Sequence, residues 1–156
     1  MAIVYFDSSA LVKLVLDETG SELAAQLWNA CDAALSSRLA YPEVCAALAA
    51  AGRNRSLTES EASAAADDWE TFWASIRPIE LSADVERLAG GVAVLHRLRG
   101  ADSAHLASAL VLGSADVTVA VWDKCLHDGV APLFTSIPTT RPSGYSRTTS
   151  TSAPPR

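Results

Sequence analysis

The sequence has few cysteines, and their spacing suits neither a metal site nor a disulfide framework. Cys31, Cys45 and Cys125 are an odd number, lack the CxxC spacing and have apolar neighbours. Cysteines in such surroundings usually pack as small apolar side chains with a reduced thiol. We therefore expect three buried, reduced cysteines rather than a zinc site or a fold held together by disulfides.

The sequence also lacks a long apolar run. No uncharged apolar stretch of about 18 residues occurs, and the apolar start lacks the basic residues that open a signal peptide. Neither a membrane span nor export is indicated, so we expect a cytoplasmic protein. With 156 residues and 49% hydrophobic content, the chain is long enough to form one domain with its own core.

Basic residues are scarce over most of the chain. The formal charge is −6, but residues 137–156 contain three arginines and no acid, which leaves −9 for residues 1–136. A fold that binds nucleic acid mainly by charge usually has a basic face, so the charge argues against that task. It does not exclude a nucleic-acid substrate, because bound metal ions can offset carboxylates and let phosphates approach.

Short apolar runs alternate with helical segments, which predicts a parallel sheet flanked by helices. Strands are predicted at residues 3–6, 33–36, 76–79 and 117–122, and around Leu133 and Phe134. Helices are predicted at 8–16, 21–31, 42–51 (closed by Gly52), 58–75, 82–99 and 103–112, with caps at Ser8, Ser21, Thr58, Ser82 and Asp102. Residues 1–136 are the expected domain. From Ile137, where Pro, Ser, Thr and Arg dominate, we expect a disordered tail.

Four acidic residues fall at predicted strand ends or helix starts near one edge of the sheet. Asp7 follows the first strand and Asp123 a later one, while Glu43 and Asp102 lie in the first turn or at the cap of a helix. Each has a structural explanation when taken alone, because acids cap helices, oppose the helix dipole and favour turns. Asp7, directly after a buried strand, has the fewest structural duties and the most typical position for a binding site.

Taken together, these four acids predict a metal site. Carboxylates that converge on one crevice repel one another unless cations lie between them. Mg²⁺ and Mn²⁺ prefer oxygen ligands, which suits acids without a His or Cys ligand set. Two such ions could activate a water and stabilise the leaving oxygen of a phosphodiester.

Three segments resemble the successive motifs of PIN-domain ribonucleases, specifically the VapC-type toxins of toxin–antitoxin pairs. They are residues 4–14 (VYFDSSALVKL), 39–48 (LAYPEVCAAL) and 98–110 (LRGADSAHLASAL), and their order and spacing match over residues 3–134. The resemblance implies a three-layer α/β/α PIN-like fold with a parallel sheet of about five strands in the order 3-2-1-4-5. It also implies RNA cleavage with Mg²⁺ or Mn²⁺, a homodimer, and inhibition by a small antitoxin.

Carried over residue by residue, the resemblance makes Asp7 and Asp102 the principal metal ligands, Glu43 the third acid and Asp123 the fourth. Ser8 or Ser9 would support these ligands. The chain departs from the family at the last motif, where Thr or Ser usually stands two residues before the fourth acid. Here that position is Val121, followed by the bulky Trp122, which leaves the role of Asp123 and the number of metals open; a further acid nearby is Asp128.

Other side chains near the motifs have two interpretations each. His105 could contact a metal-bound water or a phosphate, although packing against the sheet is the commoner role. Trp69 and Trp73 lie four residues apart on one helix, which favours a core or dimer surface over stacking on RNA bases. Five arginines could steer RNA phosphates or be solvated: Arg38, Arg53, Arg55, Arg97 and Arg99.

The sequence leaves three functions open. The leading hypothesis is a metal-dependent endoribonuclease that hydrolyses RNA without a covalent intermediate. The alternative is a catalytically weak PIN-fold interaction module that binds a partner through the surface around Trp69 and Trp73. A phosphohydrolase with Asp7 as nucleophile ranks last, because such enzymes commonly carry a second acid two residues on, where this chain has Ser9.

Overall fold

A computed structural model describes residues 1–54, 56–113 and 116–137 of the chain. Its strands are β1 Ile3–Phe6, β2 Ala33–Ser37, β3 Arg77–Ile79, β4 Val117–Ala120 and β5 Thr135–Ile137. They form one sheet in the order β3-β2-β1-β4-β5, and every neighbouring pair is parallel. The strand order and the parallel sheet confirm the predicted architecture.

Seven helices lie within the described residues and cover both faces of this sheet. They are α1 Ser8–Val15, α2 Ser21–Ala30, α3 Ala40–Arg53, α4 Glu59–Ser75, α5 Ala83–His96, α6 Gly100–Leu110 and α7 Lys124–Val130. None of the helices described is long and apolar enough to cross a membrane.

The two cores lie on opposite faces of the sheet because successive side chains of a strand point to opposite sides. Val4 and Phe6 of β1 face helices α1, α3 and α4, in a core that includes Leu11, Val44 and Trp69. Tyr5, between them, faces α5, α6 and α7, in a core that includes Val92, Leu106 and Val130. The result is the predicted three-layer arrangement, with β1 at its centre.

The strand order places a crevice at the carboxyl end of β1. The chain leaves β1 towards β2 on one side and enters β4 on the other, and such a switch point is where open α/β sheets bind ligands. Phe6 pairs with Ala120 in the register of the sheet, and the backbone N–H of Asp7 donates to the carbonyl of Ala120 at 3.1 Å. The ends of β1 and β4 are therefore held side by side.

Several predicted helix caps and helix ends were wrong by a few residues. Asp7, not Ser8, caps α1, and Gly20 precedes α2 in place of Ser21. Helix α3 continues through Gly52 to Arg53, whereas the predicted capping box of α4 at Thr58 is confirmed. Asp102 lies in the first turn of α6 rather than at its cap.

The end of the folded chain also differs from the prediction. Strand β4 stops at Ala120 instead of continuing to Trp122, and the last strand begins at Thr135, just beyond Leu133 and Phe134. Helix α7 was not predicted. Ile137 is the last residue of β5, and the rest of the predicted tail lies outside the described residues.

All three cysteines are free thiols, as predicted, but they are not all buried. Cys31 and Cys45 are partly buried, whereas Cys125 is exposed in the first turn of α7. The prediction of burial was therefore wrong for Cys125, which the unpredicted helix α7 turns outward, and Cys31 and Cys45 meet it only in part.

Candidate active site

Asp7 lies where β1 ends and α1 begins, and it is almost fully buried. Its Oδ1 accepts a hydrogen bond from the backbone N–H of Ala10 at 2.9 Å, so the residue caps the helix. The hydroxyl of Ser9 donates to the same carboxylate, 2.8 and 2.9 Å from its two oxygens. Burial raises the pKa of Asp7 to about 6, although nearby His105 and these hydrogen bonds oppose the shift.

Glu43 lies in the first turn of α3 and faces the end of β1. Its Oε2 accepts hydrogen bonds from the hydroxyl of Ser8 and from Nε2 of His105, the latter at 2.8 Å. Burial alone would raise the pKa of Glu43, but the hydrogen bonds from His105 and Ser8 outweigh it and hold the pKa below its ordinary value. Glu43 is thus held as a carboxylate by two neighbouring side chains.

Asp102, in the first turn of α6, is buried beneath an arginine. Nε of Arg99 lies 2.8 Å from Oδ2 of Asp102, and Nη2 of the same guanidinium lies 3.4 Å from Oδ1. The hydrogen bond that Arg99 donates to Asp102, and next the charge of that carboxylate, raise the pKa of Arg99 above its ordinary range. Because 69% of the Arg99 side chain is exposed, this cation covers the acid from the solvent side.

Asp123 caps α7, and its two oxygens have different contacts. Oδ1 accepts from the backbone N–H groups of Cys125 and Leu126 at 2.9 and 3.1 Å. Oδ2 points towards Arg99, whose Nη2 lies 3.3 Å away. Asp123 therefore does have a structural role, as the cap of α7, but this role uses only Oδ1 and leaves Oδ2 facing the site.

The four acids line one cavity of about 220 Å³, together with Ser8, Ser9, Arg99 and His105. The sequence prediction that they gather at one edge of the sheet agrees with this placement. No three His, Cys, Asp or Glu side chains in the described part of the chain form a ready coordination group, however. Asp102 and Asp123 face Arg99, whereas Glu43 faces Ser8 and His105.

This donor set fits a hard divalent cation. The guanidinium of Arg99 already bridges Asp102 and Asp123, which shows that this pair holds positive charge. The raised pKa of Asp7 marks a buried carboxyl whose ionised form lacks a full cationic partner. Oxygen ligands of this kind suit Mg²⁺ and Mn²⁺ and do not suit softer metals.

A comparison with known protein families agrees with this geometry. The model of the PIN domain matches residues 4–119, which contain Asp7, Glu43 and Asp102. The chain belongs to the PIN-domain family. Two curated relatives place it in the VapC branch: Ribonuclease VapC45 of Mycobacterium tuberculosis strain CDC 1551 / Oshkosh and Ribonuclease VapC49 of strain ATCC 25618 / H37Rv. Each is 64% identical over 129 residues, which is 83% of this chain and 90% of the relative.

A solved structure supports the PIN fold independently. The crystal structure of Mycobacterium tuberculosis VapC20, described as a Sarcin-Ricin loop cleaving toxin, matches with a TM-score of 0.63. The match covers 89% of this chain and 99% of that chain at 20% sequence identity. At this identity the likeness establishes the shared fold and not a shared RNA target.

The residues that depart from the VapC pattern are accommodated beside the site. Val121 is fully buried in the core between the sheet and α6 and α7. The ring of Trp122 packs over Gly20, which has a φ of +98° and where an added Cβ would lie 2.5 Å from the indole nitrogen. Gly20 is therefore required both by its backbone conformation and by the bulk of Trp122.

Ser9 links the two strand ends at this departure. Its hydroxyl donates to Asp7 and accepts from the backbone N–H groups of Trp122 and Asp123 at 2.7 and 3.0 Å. The resemblance offered Ser8 or Ser9 as a support for the metal ligands. Both contact a carboxylate, Ser8 that of Glu43 and Ser9 that of Asp7.

The remaining candidates divide into core, surface and site. Trp69 is buried in the core and makes tilted ring contacts with Trp73 and Tyr41, as expected of a core residue. Asp128 pairs with Lys124 and does not line the cavity. Four of the five arginine candidates lie within the described residues, and of these Arg99 is the one that lines the cavity. Arg38 pairs with Glu80, whereas Arg53 and Arg97 are exposed. Arg55 lies outside the described residues.

Sequence reasoning missed two features of the site. The commoner interpretation of His105 was packing against the sheet; the side chain is indeed buried, but it also bonds Glu43. Tyr5 was not singled out, although its hydroxyl lies 2.8 Å from Nδ1 of His105. The available signal was a hydroxyl-bearing residue in a strand of otherwise apolar residues, two positions before Asp7.

Proposed function

We propose that this VapC-type protein is a toxin endoribonuclease that hydrolyses RNA phosphodiester bonds with Mg²⁺ or Mn²⁺. The observation that supports it best is the set of four carboxylates, from four separate parts of the PIN fold, lining one cavity. Two relatives that are 64% identical carry the name ribonuclease, which supports RNA as the substrate class. Of the two tryptophans that the interaction-module alternative invokes, Trp69 is buried and Trp73 is partly buried.

In this proposal Asp7, Glu43, Asp102 and Asp123 hold the metal. A divalent cation supplies a water of lowered pKa and stabilises charge on the phosphate. Ser8, Ser9 and His105 hold the carboxylates of Glu43 and Asp7 in place before any metal binds. Among the described residues Arg99 is the one Lys or Arg that lines the cavity, and its exposed guanidinium can pair with an RNA phosphate there.

The experiment that tests this function is cleavage of a cellular RNA pool by purified protein. The reactions contain Mn²⁺, Mg²⁺ or a chelator, and the variants are Asp7→Ala and Asp102→Asn. Asp84→Asn is the matched control, because Asp84 is exposed, pairs with Arg87 and does not line the cavity. Discrete cuts that require the metal and both acids support the proposal, whereas no cleavage by metal-loaded, antitoxin-free wild type would contradict it.

Three further predictions from the resemblance belong to the same proposal: a homodimer, a small antitoxin partner and a cytoplasmic location. Light scattering of the purified protein tests the first. The second is tested by inspecting the reading frames beside the gene and co-expressing any small one found there, which should yield a complex in which RNA cleavage is lost.

A further inference from the structure

A chain of hydrogen bonds joins the core of the sheet to the carboxylate of Glu43. Tyr5 is 1% exposed, and its hydroxyl lies 2.8 Å from Nδ1 of His105. Nε2 of the same ring lies 2.8 Å from Oε2 of Glu43 and 3.1 Å from the hydroxyl of Ser8. The imidazole of His105 is only 3% exposed.

When the imidazole of His105 is neutral, the chemistry of the groups gives each hydrogen bond of this series one direction. The ionised carboxylate of Glu43 can only accept, so Nε2 of His105 must donate to it. In a neutral imidazole the other nitrogen is then an acceptor, so the hydroxyl of Tyr5 must donate to Nδ1.

The surroundings also fix the plane of the imidazole. The rings of Tyr5 and His105 meet edge to face, with centroids 6.1 Å apart and planes at 78°. Tyr5 belongs to the central strand β1, His105 to α6 and Glu43 to α3, so three elements define the position of one carboxylate. Helices α3 and α6 lie on opposite faces of the sheet.

We propose that Tyr5 and His105 are positioning residues that orient the carboxylate of Glu43 for metal binding, with the phenol selecting the Nε2–H tautomer of the imidazole. The assignment of Glu43 to a metal rests on the proposed function, whereas the tautomer does not. Neither residue touches RNA in this arrangement, so their loss lowers metal affinity and kcat while the KM for RNA stays unchanged. Removing a group that orients a metal ligand usually costs about 10- to 100-fold in affinity or activity.

The first test observes the tautomer directly in metal-free protein. ¹⁵N NMR of the imidazole rings at pH of about 8.5, where free imidazole is neutral, separates the Nε2–H form from the Nδ1–H form and from imidazolium. The ¹⁵N signals that disappear in a His105 variant are assigned to the ring of His105. We expect His105 in the Nε2–H form in the wild type and a mixture of both neutral forms in Tyr5→Phe.

The second test measures Mn²⁺ affinity by electron paramagnetic resonance of the free ion. His105→Leu removes both ring nitrogens and should lower the affinity by about 10-fold or more. His105→Gln places an amide donor near the position of Nε2 and should recover most of that loss. Tyr5→Phe keeps the aromatic ring and its packing, so its Mn²⁺ affinity should lie between those of His105→Leu and His105→Gln.

Tyr41→Phe is the matched control for loss of a phenol. The hydroxyl of Tyr41 donates to Glu70 at 2.7 Å on the surface, away from the cavity. This variant should keep the tautomer of His105 and the wild-type Mn²⁺ affinity. A melting curve for each variant separates a folding defect from a local effect.

The outcomes distinguish this inference from the proposed function. A wild-type His105 in the Nδ1–H or imidazolium form, or a Tyr5→Phe variant with unchanged tautomer and affinity, overturns the positioning roles even if RNA is cleaved. An Nε2–H wild type that loses this form in Tyr5→Phe but binds no Mn²⁺ supports the hydrogen-bonded chain and overturns its assignment to a metal site.

Discussion

The two halves of the site hold their acids in different ways. Asp7 and Glu43 are fixed from inside the protein by hydroxyl, backbone and imidazole donors, which contact them through short hydrogen bonds. Asp102 and Asp123 instead share one guanidinium, that of Arg99, whose side chain is 69% exposed. The first half is therefore held without a cation, whereas the second half, although Asp123 also caps α7, is neutralised by one largely exposed side chain.

This difference separates ligand positioning from charge compensation. Buried hydrogen bonds fix a carboxylate in place, and they leave Asp7 with a raised pKa because they supply less positive charge than burial requires. The exposed arginine supplies that charge for the other pair in the absence of metal. We expect a cation to complete the first half and to compete with Arg99 in the second.

The largest expected effect on RNA cleavage comes from a single variant that removes one acid, and we compare one such variant from each half of the site. Asp7→Asn should lower RNA cleavage by about 1,000-fold, since a buried metal ligand contributes several kcal/mol to the transition state. Asp123→Asn should lose much less, because one of its oxygens caps α7 and the residue is partly exposed. Single-turnover cleavage at saturating Mn²⁺ measures both. Equal losses in the two variants would contradict the comparison.

The pH dependence of stability should isolate Asp7. Between its ordinary carboxyl pKa of 3.8 and the raised value of about 6, the folded state keeps a proton that the unfolded chain has lost. Metal-free protein is therefore destabilised as the pH rises through this window, by about 3 kcal/mol at most. Urea unfolding in chelator from pH 4 to 7 measures it, and Asp7→Asn should lack this component.

Asp84→Asn is the control for this pH series and should keep the wild-type dependence, because Asp84 is exposed. Glu43, whose pKa is lowered, has the opposite sign: its contribution is present above its ordinary pKa and is lost as the pH falls. An identical pH dependence in wild type and Asp7→Asn would show that the Asp7 carboxyl is not destabilised by burial.

Ser9→Ala should destabilise the protein by about 2 kcal/mol, because it removes the acceptor for two backbone N–H groups and a donor to Asp7. The free energy of unfolding in urea measures the loss. Ser56→Ala is a suitable comparison, since its hydroxyl makes an exposed hydrogen bond to the carbonyl of Ala51. Equal, small losses in both variants would remove Ser9 as the link between β1 and the start of α7.

The smallest effect is expected for Arg99→Ala. Exposed ion pairs contribute about 0.2–1 kcal/mol, so removing the competing guanidinium should raise Mn²⁺ affinity up to about fivefold. Arg87→Ala, which breaks the exposed pair with Asp84, should leave the affinity unchanged. Calorimetric titration of metal-free protein measures both, and a weaker affinity in Arg99→Ala would show that the arginine helps rather than opposes metal binding.

The parts of the fold that follow from local patterns could be predicted from the sequence. The apolar run before Asp7 and the β-branched run at Val117 indicated buried parallel strands, and acids at their ends indicated the site. The cap at Asp7 was missed because Ser8, the next residue, is an equally good acceptor. Helix α7 has seven residues and two apolar positions facing the core, too few to show a helical period.

The side-chain network of the site could not be predicted in the same way. Tyr5 and His105 are 100 residues apart, and their contact depends on the layer order of the whole fold. The bridge from Arg99 to Asp123 depends on the conformation of one long side chain and on helix α7. His105 was visible as a candidate because it follows Asp102 by three residues, but its partner Glu43 lies on another helix.

The most direct test of the account is a crystal structure of the protein with Mn²⁺, with anomalous diffraction to locate the ion. We predict a Mn²⁺ peak in the cavity bound by Asp7 and Asp102, with the guanidinium of Arg99 turned away from Asp102. A cavity without an anomalous peak at saturating Mn²⁺, in which Arg99 still bridges Asp102 and Asp123, would contradict it.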